Sequence, residues 1–266
     1  MKLHTILRAE FSLVYGEIFR RKSALAAMII YPYLFAGFTL FFGYTIGSPQ
    51  LFIERVGVEP TIFMITASNI VMSIITAVDD VLWRPLHDMY VGTLPYIIAS
   101  PINKLELFIA IPIPRLSLLL MTGFTSIAPI YTLYYGMNGI VLALAIISLI
   151  ALGALTMSTL GIVIAGLIHT IGESWRILNI VRPLIMVLLG AYYPRMFMPL
   201  SVYIVSFLIP SSHVVETIHR ILLGSIDNLY LFPILAIILA FTYIPGSRRS
   251  LLYWEKKKVS EGVKTY

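Results

Sequence analysis

The 266-residue chain contains no cysteine. That excludes disulfides, thiolate nucleophiles and every metal site built on sulfur. Charge is scarce as well: Asp, Glu, Lys and Arg make up 12% of the residues, about half the roughly 25% of a soluble domain. The deficit runs along the whole chain, which excludes a soluble enzyme held by one anchor. No Gly-X-X-X-X-Gly-Lys-Ser/Thr phosphate loop occurs, and no polar stretch is long enough for an ATPase domain. A process driven by ATP would need its nucleotide site on another polypeptide.

What remains is apolar: 59% of residues are hydrophobic and the mean hydropathy is +0.90. The net charge of +6 comes from basic residues that flank apolar runs, a pattern of membrane topology and not of nucleic-acid binding. Residues 1–23 read as an amphipathic interfacial helix. Leu3, Ile6, Leu7, Phe11, Val14 and Ile18 recur at three- and four-residue steps, Glu10 and Glu17 fall elsewhere, and Arg20, Arg21 and Lys22 close the segment. The first apolar run begins only near Ala24, so no cleavable signal sequence is expected.

Six spans are expected: Ala24–Ile46, Thr61–Val78, Pro112–Tyr135, Ile140–Ile168, Ile177–Tyr193 and Leu229–Pro245. The fifth is the weakest, because Asn179 and Arg182 interrupt it. His169, Glu173 and Arg176 lie in the loop before it, and Tyr134 to Gly139 mark a tight turn between the third and fourth. With both termini cytoplasmic, the inner segments hold sixteen Lys and Arg, including Lys2, Arg84, Lys104, Arg115 and a tail ending at Lys264; the outer ones hold three, Arg55, Arg195 and Arg220. That bias fixes the expected orientation and an even number of spans.

Residues 79–106 form an expected cytoplasmic loop. Within it, a short amphipathic element bounded by Gly92 and Pro101 is too apolar for a free loop and too short to span. Such an element lies on the membrane surface or fits a groove on another protein. Residues 194–228 are broken by Pro194, Pro199 and Pro210 into pieces too short to cross, so they are expected to dip in and return. Ser211 or Ser212 can cap a helix there, Glu216 and Arg220 make an i,i+4 pair, and Gly224 can end it.

Two segments carry a family resemblance. Gly92-Thr93-Leu94-Pro95-Tyr96-Ile97-Ile98-Ala99-Ser100-Pro101, followed by Lys104-Leu105-Glu106, resembles the cytoplasmic loop of the permeases of type 2 ABC exporters. In those proteins the loop reads Gly-Thr-Leu-X-X-Leu-X-X-Ser-Pro and follows a charged run. Here the run is Asp88-Met89-Tyr90-Val91, and Pro95 replaces an acidic residue. Pro210 with Val215-Glu216, Arg220 and Gly224 is similar to the same family's motif before its last span.

The resemblance implies an all-α polytopic permease domain over 1–266 with an external re-entrant hairpin at 194–228 and a basic cytoplasmic tail at 246–266. It implies a coupling helix in which Gly92, Thr93, Leu94, Tyr96, Ile97, Ser100 and Pro101 dock a separate ABC ATPase. ATP and Mg would sit on that partner and no cofactor on this chain. A second permease copy or a paralogue would complete the pathway in the plasma membrane, among membrane lipids. The substrate class (drug, lipid or polysaccharide) stays open.

The residues also admit an intramembrane lipid-modifying transferase that uses Asp79, Asp80 and Asp88 to hold Mg²⁺, or a receptor or scaffold. The aspartates lack the i,i+4 repeat that would align three on one helix face, and read more simply as solvated helix ends. The histidines His4, His87, His169, His213 and His219 are scattered and read as hydrogen-bonded or interfacial. Arg115, near the start of the third span, is expected to snorkel to headgroups.

Overall fold

The computed structural model describes residues 3–171, 174–225 and 227–261; Lys2, Glu173 and Lys264 lie outside them. All regular structure among the described residues is helical. The order is α1 (Leu3–Arg20), α2 (Lys22–Ile46), α3 (Pro49–Val56), α4 (Pro60–Val91), α5 (Leu94–Ala99), α6 (Lys104–Ala110), α7 (Pro112–Tyr135), α8 (Asn138–Ile168), α9 (Ser174–Leu189), α10 (Leu200–Ser206), α11 (Pro210–Leu222) and α12 (Leu231–Glu261). Among the described residues, five stretches are long and apolar enough to cross a membrane, or six if the bent pair Leu200–Ser206 and Pro210–Leu222 is one span: Lys22–Thr45, Pro60–Val91, Lys104–Tyr135, Asn138–Ile168 and Leu231–Ser260. With no water to satisfy the backbone, helices of this length are the natural way for such a chain to span a bilayer.

The helix α8 is the centre of the bundle and packs against α4, α7, α11 and α12. Its small residues make this possible. Ala154, Ser158, Gly161 and Ala165 are buried within this chain's own bundle, and at Gly166 an added Cβ would sit 2.5 Å from Ser250 Oγ of α12. Between α4 and α7, Thr66 and Tyr131 share a hydroxyl contact of 2.7 Å, and Asn69 Nδ2 donates to Ser126 Oγ at 3.0 Å. Outward faces are apolar: on α2, Ile30, Leu34, Phe38 and Phe41 are exposed, as lipid-facing side chains must be.

One end of the bundle, here the tail end, gathers the finish of α4, α8 and α12 with α1, α5 and α6. The opposite, hairpin end holds the start of α4, α8 and α12. Entry into α4 is well defined: the Glu59 carboxylate accepts from the backbone N–H of Thr61 at 2.6 Å and Ile62 at 3.2 Å, with Pro60 in the first turn.

Three boundaries differ from those read in the sequence. The second span continues as helix to Val91, so residues 79–91 of the expected loop belong to α4. Its charged residues do not end the helix because each finds a partner: Asp79 on α9, Asp80 on α7, Arg84 on α1, and Asp88 one turn back on α4 itself at Arg84. The last helix passes through Pro245 and runs on to Glu261, so most of the expected tail is helical. Ser247 Oγ donates to Thr159 O at 2.8 Å, and Trp254 packs edge-on to Phe108 at 5.9 Å, tying that extension to its neighbours. The segment expected as the fifth span is the short helix α9, 16 residues long, about 24 Å at 1.5 Å per residue against about 30 Å of hydrocarbon, and it is not among the five long stretches. Arg182 meets Asp79 at 3.0 Å, and Tyr192, beyond its end, lies beside Ser68; α9 thus runs antiparallel to α4.

The helices α10 and α11 meet at 108°. The Tyr243 hydroxyl of α12 donates to Leu208 O at the bend, 2.9 Å away. Val214 lies against Gly153 at the midpoint of α8, whereas Leu223 lies against Gly57 at the hairpin end. The helix α11 therefore runs from the middle of the bundle to its hairpin end.

Candidate functional site

The segment Gly92–Pro101 is one turn and one short helix at the tail end. At the close of α4, Gly92 N–H bonds Met89 O at 3.2 Å and Thr93 N–H bonds Asp88 O at 2.8 Å. This is a Schellman motif, and it needs the φ of +80° that Gly92 adopts. Thr93 then starts α5, its hydroxyl donating to Asp88 Oδ1 at 3.0 Å. Leu94 is buried beneath the helix, Ile97 is half-buried, and Tyr96 points away from the bundle with 78% of its surface exposed. Ser100 closes the helix, its hydroxyl donating to Ile97 O at 2.7 Å, and Pro101 follows, exposed. The seven residues expected to couple to a partner are thus brought together.

Both ends of α5 are tied down by buried charge. At its start, Arg84 Nε donates to Asp88 Oδ2 at 2.8 Å while Nη1 and Nη2 each reach Glu10 of α1 at 3.0 Å. At its finish, Lys104 Nζ donates to the carbonyls of Ser100 at 2.8 Å, Ile102 at 3.3 Å and Ile98 at 3.4 Å, and pairs with Glu255 of α12 at 3.5 Å. The carbonyls are the unmet acceptors at the end of a helix, which a cation satisfies well. These contacts join α5 to α1, α4 and α12.

The aspartates are not solvated helix ends. Asp88 is buried with Arg84, Asp79 pairs with Arg182, and Asp80 pairs with Arg115. Arg115 accordingly meets a carboxylate instead of snorkelling alone. Each aspartate has a guanidinium partner, Arg84 being shared between Asp88 and Glu10, and among the described residues no three His, Asp or Glu converge as metal ligands. The geometry gives the Mg²⁺ reading no support.

On α1 the buried stripe is Ile6, Glu10, Val14 and Ile18. Glu10 thus belongs to the inward face, contrary to its expected place, because Arg84 compensates it. His169 is buried and its Nε2 donates to Leu82 O at 2.7 Å. Burial holds the imidazole down at about 4; the hydrogen bond opposes this and Lys258 adds to it.

In the second motif, Pro210 opens α11 and Glu216 pairs with Arg220 at 3.0 Å. Gly224, with φ +68°, ends the helix as a second Schellman motif: its N–H bonds Ile221 O at 3.1 Å and that of Ser225 bonds Arg220 O at 3.0 Å. Neither serine caps the helix. Ser212 Oγ instead accepts from Arg195 Nε at 3.1 Å and Nη2 at 2.8 Å, and Ser211 Oγ is buried with no partner among the described residues. Arg195, counted in the sequence only as an outer charge, is 6% exposed and also donates to Ser206 O at 3.3 Å. Its guanidinium lies over Phe207, 4.9 Å from the ring centre. His213 and His219 are buried there too, the latter stacked on Phe63 at 5.0 Å.

The structure is that of an all-helical chain with several helices suited to a membrane. Comparison with family models, with curated proteins and with solved structures returned no match.

Proposed function

We propose that this chain is the membrane-spanning permease subunit of a type 2 ABC exporter, moving its substrate outward with ATP hydrolysed on a separate ATPase subunit. The observation that carries the reading is α5. A six-residue helix, too short to be stable alone, is held between Asp88–Arg84–Glu10 and Lys104–Glu255. It presents Tyr96, with Tyr90 and Val91 beside it, to the outside of the bundle. That arrangement suits a helix that fits into a groove on a partner and passes the partner's movement to the surface helix α1 and the membrane helices α4 and α12.

The rest of the reading follows from topology. With α9 as the sixth crossing, both termini lie on the tail side, which also carries Arg20, Arg21, Lys22, Arg84, Lys104, Arg248, Arg249 and Lys256–Lys258. By the positive-inside rule that side is cytoplasmic. The α10–α11 pair is then an external re-entrant hairpin, and α1 lies at the cytoplasmic membrane surface with Leu13 and Phe19 turned outward. One such half lacks the facing wall of a pathway, so a second copy or a paralogue supplies it in the plasma membrane.

The test is co-purification of the full chain with a phosphate-loop ATPase encoded beside it, followed by ATPase assays in lipid. Scrambling Thr93–Ile98 should abolish the association and leave the membrane fold intact. An ATPase that never associates, or that binds the scrambled chain equally well, defeats the proposal.

A further inference from the structure

A cavity of about 330 Å³ opens at the tail end between α1, α4 and the start of α7, within the size range of small-molecule sites. Its wall carries both signs of charge: Asp79, Asp80 and Glu17 (the last paired with Arg21) face it, and so do Arg84, Arg115 and the imidazole of His87. Asp79 stands nineteen residues after Pro60 on one helix, about 28 Å along the axis, close to the hydrocarbon thickness of about 30 Å. With Pro60 at one polar boundary of the bilayer, the cavity sits at the other, where lipid headgroups lie.

The charges around it do not balance. Glu10, Asp79, Asp80 and Asp88 are paired with only Arg84, Arg115 and Arg182, and Arg84 serves two acids. Asp80, with its side chain 10% exposed, gives one oxygen to Arg115, and Asp79 gives one to Arg182. Among the described residues the second oxygen of each receives no hydrogen bond. A cation is wanted, but no metal-like cluster of ligands is formed among the described residues. An organic ammonium with N–H donors fits that demand, with Arg115 left for a phosphate. Leu13 and Trp83 add an apolar wall, and tryptophan favours this level of a bilayer.

We propose that the cavity holds the headgroup of an ethanolamine phospholipid, its ammonium on the free oxygens of Asp79 and Asp80 and its phosphate on Arg115. The site rests on the membrane architecture alone and stands whether or not the chain is a permease.

The experiment uses the full chain, purified and delipidated in detergent, with lipid retention read by native mass spectrometry. Phosphatidylethanolamine, its N-methyl and N,N-dimethyl forms and phosphatidylcholine, all with the same acyl chains, are compared. Retention should fall along that series as N–H donors are lost, by about tenfold from first to last. The D79N/D80N variant should lose the preference while retaining phosphatidylglycerol as the native chain does. Equal retention of phosphatidylethanolamine and phosphatidylcholine by the native chain overturns the proposal, however the variant folds. Displacement of the lipid by soluble glycerophosphoethanolamine at equal concentration overturns it too, because the ligand would then be a free metabolite.

Discussion

Arg84 on α4 grips Glu10 on α1 through two parallel hydrogen bonds of 3.0 Å each. Its remaining donor, Nε, reaches Asp88 one turn along its own helix at 2.8 Å. The guanidinium is planar and its fork matches a carboxylate, so this is a junction that lysine could not reproduce. It joins the first helix of the chain to the turn that begins α5.

Removing the central member should be severe. Arg84→Leu leaves Glu10 and Asp88 buried without a cation, and breaking such a pair costs about 3–5 kcal/mol. A thermal unfolding scan in detergent should show a large loss. Arg84→Lys should recover only part of it, because one ammonium cannot satisfy both carboxylates with the same geometry.

Gly92 should tolerate no side chain without strain. Space around it is open, but its φ is +80°, where an L-residue is disfavoured by about 1–2 kcal/mol. Gly92→Ala is expected to lower stability by about that amount and Gly92→Asn by less, as asparagine visits this region more readily. Denaturant or thermal unfolding of the three proteins in one detergent checks the order.

Lys104 should act on coupling as much as on stability. Lys104→Met keeps the length of the chain and removes the cation that holds the α5 carbonyls and Glu255. The α5 end should loosen, read as faster amide exchange at Ile97–Ser100, with the α8 core unchanged. Protection of Ile97–Ser100 equal to that of the native chain would show that Lys104 does not hold α5.

His169 gives a pH dependence of known sign. Its folded value of about 4 lies below the ordinary 6.5, so the unfolded chain takes up the proton first as pH falls. The stability that neutral His169 contributes is complete above about pH 6.5 and is lost toward pH 4, about 2 kcal/mol of it between pH 7 and 5. His169→Gln keeps a donor for Leu82 O and cannot titrate there. Its unfolding midpoint should fall less than the native one over that interval.

The uninterrupted apolar runs made most of the spans legible in the sequence, Gly224 marked the end of α11, and Gly92 bounded the short element after α4, because few residues besides glycine close a Schellman motif. The charged residues misled. Asp79, Asp80 and Asp88 look like an exit from the membrane when read locally, but Arg182, Arg115 and Arg84 neutralise them inside the bundle. Two of those partners lie on other helices, and no local periodicity reports them. The same holds for Glu10, placed on the polar face of α1 until its partner is known. Arg195 gave no local signal either, since its acceptors Ser206 and Ser212 come together only when α10 folds back on α11. The clasp at Lys104 needed Glu255, brought near only because α12 continues as helix through Pro245.

The central claim is that α5 is the surface a partner ATPase grips. A photo-crosslinking amino acid placed at Tyr96, exposed to 78%, and separately at Tyr230, exposed to 65% at the opposite end of the bundle, tests it most directly in intact membranes. The account expects an ultraviolet-dependent adduct between position 96 and a phosphate-loop ATPase, and none from position 230. A chain that crosslinks the ATPase from position 230 and not from 96, or from neither, contradicts it.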